Sequence, residues 1–386
     1  MANVLNLLSE ETFAEKMDTQ NVLLAAIASQ NGGIAITSWA DVQKLVRMGL
    51  ASKVFTIGDQ LTCQRGSTTL VWDIIGIDHD TPTDKTKEHS LTLQLHDCLA
   101  GVQFDAREAL YYAESELAAG TYNFYIVSQP WYTADNGKTF QFTLSTAVPA
   151  GGQIVLDMTY NAALAGRSVK TYASNTSSDV IETATISEGS GGTALGTTDG
   201  SVDNLNHIQR AIMGSNNWMQ SAIRQYLNSS AAAGSVWTPK TNFDRPPSWA
   251  TNTAGLLNTM DEDFLAVIGE VDKITTLNTI TDGGGSETNA EKFFLLSRSE
   301  VYGGNENGIL EGAAYPYYVN NSDFSSPTTE KDTNRIKYRN GAAQYWWLRS
   351  PYTSYSYGVR TVGTTGNVNH SSAHISCGVA PACCII

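Results

Sequence analysis

The hydrophobic pattern changes period along the chain. In residues 1–49 apolar positions recur at helical spacing. Trp39, Val42, Leu45 and Val46 mark one face, Ser38 with Asp41 is a capping-box pattern, and Gly49 is a natural stop. Helices are also expected over 9–17 and 21–29, with Asn31-Gly32-Gly33 as a break. This predicts a short helical N-terminal arm that packs on the rest or joins copies into a homo-oligomer. From residue 54 the period becomes two. Strands are expected over 54–62, 70–77 and 90–96, with a polar loop over 78–88, and again over 121–127, 138–144 and 153–158. The later connectors, Ala-Gly, Asp-Asn-Gly and Pro-Ala-Gly-Gly, are turn formers, so residues 102–188 read as a small β-sandwich. The Gly/Ser/Thr-rich stretch 187–200 reads as a linker or long loop. Helices are expected over 204–213 and 217–227, a short apolar piece over 261–268, and a buried strand over 292–296. Short strands return after Tyr345. The fold class is α+β.

Composition narrows the chemistry. Only 16% of the 386 residues are charged, against about 25% in an average soluble domain, while Tyr numbers 17 and Trp 8. The net charge of -14 argues against nucleic-acid or anionic-membrane partners. No apolar run approaches the length of a membrane span, and the apolar stretch 22–28 follows an acidic segment, unlike a secretory signal. Five cysteines make no disulfide framework, and Cys383-Cys384 read as buried thiols. No CxxC, HExxH, P-loop or GxSxG motif occurs, so no catalytic residue, metal or cofactor is expected. Asp78-His79-Asp80 and His96-Asp97 lie at strand ends in polar loops and read as surface groups. His370 and His374 are four apart, but the stretch is not helical and two ligands are too few for a metal.

The tail carries the most information. Residues 352–377 (YTSYSYGVRTVGTTGNVNHSSAHISC) are framed by YWWLRSP at 345–351 and GVAPA at 378–382. The frames are apolar and the interior is Tyr, Ser, Thr, Asn, His and Gly, the spectrum of a paratope. These 26 residues contain no Lys, Glu, Gln, Met or Trp, although the other 360 contain 58 of them, which would place about four in the window. Those five types are the ones that no codon ending in C or T encodes.

The segments WMQSAIRQYLN (218–228), FFLLS (293–297), YWWLRSP and GVAPA, in this order and spacing, resemble the C-type-lectin-fold variable proteins of diversity-generating retroelements, in their phage and gut-bacterial branch. The resemblance covers about residues 190–386, and its WWLRSP and GVxPA elements are specific. It implies a C-type-lectin-like fold. The first strands would lie in 50–101, an immunoglobulin-like insertion in 102–188, and the remainder in 189–386, with a variable region at about 345–377. In that family adenine mutagenesis turns AAC codons into NNC. The residues expected on display are Tyr352, Thr353, Ser354, Tyr355, Ser356, Tyr357, Thr361, Thr364, Thr365, Asn369, His370, Ser371, Ser372 and His374. Ile375, Ser376 and Cys377 join them as NNC-encodable positions. Trp346, Trp347, Leu348, Arg349, Pro351, Gly378 and Pro381 form the expected frame, with Val359, Val362, Val368 and Ala373 as apolar pegs. The triplets of calcium-dependent lectins are absent. The resemblance implies a non-enzymatic receptor-binding protein of a phage or prophage virion, facing a protein or glycan on a host cell. The rival readings are an undiversified virion structural protein and, third, an enzyme acting on cell-surface polymers.

Overall fold

The computed structural model describes residues 38–158, 161–199, 204–318 and 330–386. The helices expected over 9–17 and 21–29, and any association through them, lie outside these residues. Strand outweighs helix, 36% against 13%, giving a β-rich chain with short helices.

The first helix among the described residues, Trp39–Arg47, starts at Ser38, whose hydroxyl accepts from the Asp41 amide. Its apolar face is part of the main core: Val42, Leu45 and Val46 are buried, and the Trp39 ring lies 4.7 Å from Phe264. Residue 49 is therefore no domain boundary, because that face packs into the main core behind it. A helical turn at Ala51–Val54 displaces the strand expected from residue 54.

Strands β1 (Gln60–Arg65), β2 (Thr68–Ile77) and β3 (Leu91–Leu95) form an antiparallel meander, and β4 (Leu99–Gln103) leaves it for another sheet. The chain then builds a sandwich from β5 (Tyr111–Tyr112), β6 (Gly120–Ile126), β7 (Lys138–Leu144), β8 (Gln153–Asp157), β9 (Ser168–Tyr172), β10 (Val180–Thr185), β11 (Ser187–Glu188) and β12 (Thr193–Thr197). Its sheets run β10-β9-β8-β5 and β11-β7-β6-β12. Alternate residues such as Phe124, Phe140, Phe142, Ile154 and Leu156 point inward and close a core separate from the main one. The stretch expected to be a linker supplies β11 and β12 instead. Its glycines permit close approach: a Cβ on Gly192 would fall 2.1 Å from the Thr121 carbonyl oxygen. The sandwich also extends past residue 188, since Leu205 and the helix Ile208–Met213 complete its core.

The main body resumes with the helices Ala222–Leu227 and Glu262–Val267, then β13 (Ile268–Gly269), β14 (Val271–Thr276), β15 (Ser286–Glu291), β16 (Phe293–Phe294) and the helix Arg298–Tyr302. The helix at 222 starts later than the pattern suggested because Ser221 caps it. A hairpin of β17 (Lys337–Arg339) and β18 (Ala342–Gln344) leads into the tail strands β19 (Trp346–Pro351), β20 (Gly358–Val362), β21 (Val368–Ser372), β22 (Ser376–Val379) and β23 (Ala382–Ile385). The last strand, β23, inserts beside β3 in the sheet β1-β2-β3-β23-β13, with β16 also on β23. The other tail strands form β21-β20-β19-β22-β4. The tail is thus tied to β3 and β4, the strands that precede the sandwich in the chain.

The frame residues are all buried. The Trp346 indole donates to the Arg335 carbonyl at 2.9 Å, and that of Trp347 to the Val102 carbonyl at 2.9 Å. A Cβ on Gly378 would meet Cys98 Sγ at 2.8 Å, so only glycine fits between β22 and the start of β4. Arg349 is wholly buried. It bonds Glu300 at 2.6 and 3.0 Å and the carbonyls of Leu295, Ile274 and Glu311 at 2.9 to 3.0 Å. Burial alone would raise Glu300, but Arg349 and then Lys273 hold it below its ordinary value. Asp80, expected at the surface, is buried on Lys273; burial opposes its ionisation, yet Lys273 brings it down to about 2. A lysine in the core needs such a partner, which the polar context of residues 78–88 did not reveal.

Candidate ligand-binding face

The loop 352–357 joins β19 to β20, and its main chain is what the scaffold grips. The buried Asn216 side chain donates to the carbonyls of Tyr355 (2.8 Å) and Gly358 (2.9 Å), and the Asn216 amide donates to Ser356 O at 3.1 Å. Asn278 holds Asn216 in place at 2.8 Å. The Thr279 amide and hydroxyl both donate to Thr353 O, at 3.0 and 3.1 Å. Across the loop, the Ala373 amide donates to Tyr357 O at 3.0 Å. Bonds to carbonyls persist whatever side chain the loop residue carries.

Outside this clasp the rings form a row. His370 stacks on Tyr352 (4.7 Å between centroids, 17° between planes), and Tyr352 stacks on Tyr355 (5.0 Å, 24°). Tyr355 meets Tyr357 at 5.2 Å, and Tyr357 meets Trp131 at 4.9 Å and 59°. Register places Arg360 opposite His370 on the edge pair β20/β21. The Arg360 guanidinium lies 4.4 Å from the Tyr352 ring centre and pairs with Glu306, whose carboxylate also takes Arg298 at 3.2 Å. Burial, then the Arg360 charge, hold His370 below its ordinary value, so it is neutral at pH 7. Glu306 thus serves two guanidinium groups, and Arg360 is the cation beside the row.

The expected display residues do not share one face. Tyr352, Tyr355, Tyr357 and His370 belong to the row, and Ser354 is exposed at the loop tip. Thr364 and Thr365 occupy the β20–β21 turn, where the Thr365 hydroxyl donates to Asn367 at 2.9 Å. Asn369 is half-buried and accepts from the His370 amide at 2.8 Å. Ser371 lies on the opposite face of β21 from His370. With Ile375 and Ser376 it lines a cleft of about 520 Å³ beside Tyr345 and Arg339. Ser372 is half-buried. His374 is a tie, not a displayed group: it bonds Met213 O through its ring at 3.2 Å and through its amide at 2.9 Å. Burial, then Arg107, bring it down to about 4.

Four of the expected display positions are buried instead: Thr353, Ser356, Thr361 and Cys377. Thr353 is drawn in by Thr279. Ser356 sits beneath the loop, its hydroxyl 3.2 Å from both His207 Nδ1 and Gln209 Oε1. Thr361 is on β20 between β19 and β21, and Cys377 on β22 between β19 and β4, where neighbours cover both sides. Burial pushes the Cys377 thiol up to about 12, so it is no nucleophile. Val368, expected as a buried peg, is only half-buried.

Residue reasoning missed Trp131, Asn216 and Glu306. The first had a signal: a Pro-Trp-Tyr run at a hairpin loop is an aromatic cluster outside the alternating strand pattern. The other two had none, because a single Asn or Glu in a polar context names no partner. Among the described residues no group of three or more His, Cys, Asp or Glu could hold a metal, and no helix is long and apolar enough to cross a membrane.

None of the curated proteins and none of the solved structures compared with the chain is a match. Residues 191–386, from β12 to the end of the tail and just over half of the chain, match the family described as Domain of unknown function (DUF6273), and the chain belongs to that family.

Proposed function

We propose that this chain is a non-enzymatic binding protein whose tail is a retroelement-diversified surface on a C-type-lectin-like scaffold, with the sandwich as an immunoglobulin-like insertion. The carrying observation is the backbone clasp: Asn216, Thr279 and the Ala373 amide fix the loop through its carbonyls and leave Tyr352, Ser354, Tyr355 and Tyr357 free to differ. A surface of that kind keeps its shape while its chemistry is redrawn. The pairing of the last strand with the first meander, and the separate tail sheet, support the lectin-like reading. Thr361 supports the sampling idea. It is wholly buried, and its Oγ1 has no hydrogen-bond partner among the described residues. A residue chosen for packing would be valine there. The partner is a protein or glycan on a host cell surface, and the setting a phage or prophage virion, as the resemblance implies. No metal or cofactor takes part.

The test is a positional scan of the full chain. Each residue from 352 to 377 is replaced by the 15 NNC-encoded types, and the folded fraction is read by protease resistance of the displayed protein. Positions 352, 354, 355, 357, 365 and 370 should accept most replacements, while 356, 358 and 377 should accept few. Uniform intolerance across the loop would overturn the proposal.

A further inference from the structure

The ring row does not end at the tail. Its last member, Trp131, comes from the sandwich, in the loop between β6 and β7, and packs on Tyr357. Trp131 and Tyr357 both lean on the sandwich core, so the two units meet under the row. Tryptophan has no NNC codon, so this ring cannot be redrawn by the mechanism that would vary Tyr357. The row therefore has a fixed end and a variable end.

Ring geometry also selects the partner. Tyr352 is stacked by His370 at 4.7 Å and by Tyr355 at 5.0 Å, and the Arg360 guanidinium lies 4.4 Å from its ring centre, so its faces are already engaged. Tyr355 is in turn flanked by Tyr357. Sugar rings are gripped by open aromatic faces, and here the faces are spent on one another. The three tyrosines of the row are half-buried and His370 at its end is exposed. The centroid path from His370 to Trp131 is about 20 Å. That suits the core of a protein interface, which covers about 800 Å² per partner, a disc roughly 30 Å across. Arg360, the cation beside the row, is already engaged by Glu306, so the rings and not a charge offer the contact surface.

We infer that the recognition face is composite, with Trp131 of the sandwich as its constant anchor, and that it takes an uncharged patch on a folded protein. This rests on the binding role proposed above. The full chain, carrying NNC codons at Tyr352, Ser354, Tyr355, Tyr357 and His370, is displayed on yeast and sorted in parallel against biotinylated hen lysozyme and biotinylated mannan. Clones should emerge against lysozyme. Trp131→Ala placed in those clones should weaken binding at least tenfold and Trp131→Phe should restore part of it, with binding compared under conditions where urea curves show each variant folded. Lysozyme clones indifferent to Trp131→Ala would refute the composite face. Clones against mannan alone would refute the protein partner. No clones against either probe would refute the underlying binding role, a separate failure.

Discussion

Ser354 and Ser356 sit two apart in one loop, have the same side chain, and occupy opposite environments. Ser354 is exposed; Ser356 is fully buried, with its hydroxyl between His207 and Gln209. Tyrosine at each position separates residue type from placement. At 354 the new ring projects into solvent, and the change should stay within about 0.5 kcal/mol. At 356 it removes hydrogen bonds that contribute about 1 kcal/mol and forces a ring into filled space, at about 1–3 kcal/mol. The expected loss is about 2–4 kcal/mol in all. Ser356→Ala calibrates the first part. Gln209 Oε1 keeps the residue 356 amide at 2.8 Å and His207 Nδ1 keeps the Gln209 amide at 3.2 Å, so nothing is orphaned and the cost should be about 1 kcal/mol. Urea unfolding followed by tryptophan fluorescence reads all three variants. Equal losses for Ser354→Tyr and Ser356→Tyr would refute the assignment of one as free and the other as locked.

Three further outcomes follow from buried groups. Thr361→Val removes an orphaned hydroxyl and should raise stability by about 1 kcal/mol in the same urea assay. Arg349→Lys loses the two-pronged grip on Glu300 and several carbonyl bonds, and should cost about 3–5 kcal/mol. Burial, only partly offset by Arg210, raises Glu108 from 4.5 to about 7. Between those values the unfolded chain gives up this proton first, so the wild type loses stability as pH rises; Glu108→Gln does not. The advantage of Glu108→Gln should grow from near zero at pH 4 to about 3 kcal/mol above pH 7, read as a difference in urea midpoints across pH.

Much of the fold was legible because its signals are local. The strands β2, β3, β7 and β8 follow period-two alternation, and Ser38 marks its helix start by capping chemistry. The closing strand β12 was hidden because its glycines look like a linker until Thr121 is seen to press against them. The candidate site was legible as a segment but not as a surface. Codon reach and burial are independent, so Thr353, Ser356, Thr361 and Cys377 carry the right residue types in buried places. The charge pattern gained a new meaning. Residues 333–386 hold five basic side chains and no carboxylate. Yet Arg335, Lys337 and Arg349 are buried and Arg360 is paired, which leaves Arg339 as the exposed one. Most of the tail's positive charge serves its interior, where carbonyls and Glu300 need cations, and Arg339 alone brings it to the surface.

The central claim is that residues 352–377 are drawn by template mutagenesis. The encoding locus tests it most directly. Sequencing should find NNC codons at Tyr352, Ser354, Tyr355, Tyr357 and His370, a near-copy of the tail's coding DNA with AAC at those codons, and a reverse-transcriptase gene beside it. Mixed third bases at those codons, with no near-copy in the locus, would contradict the account.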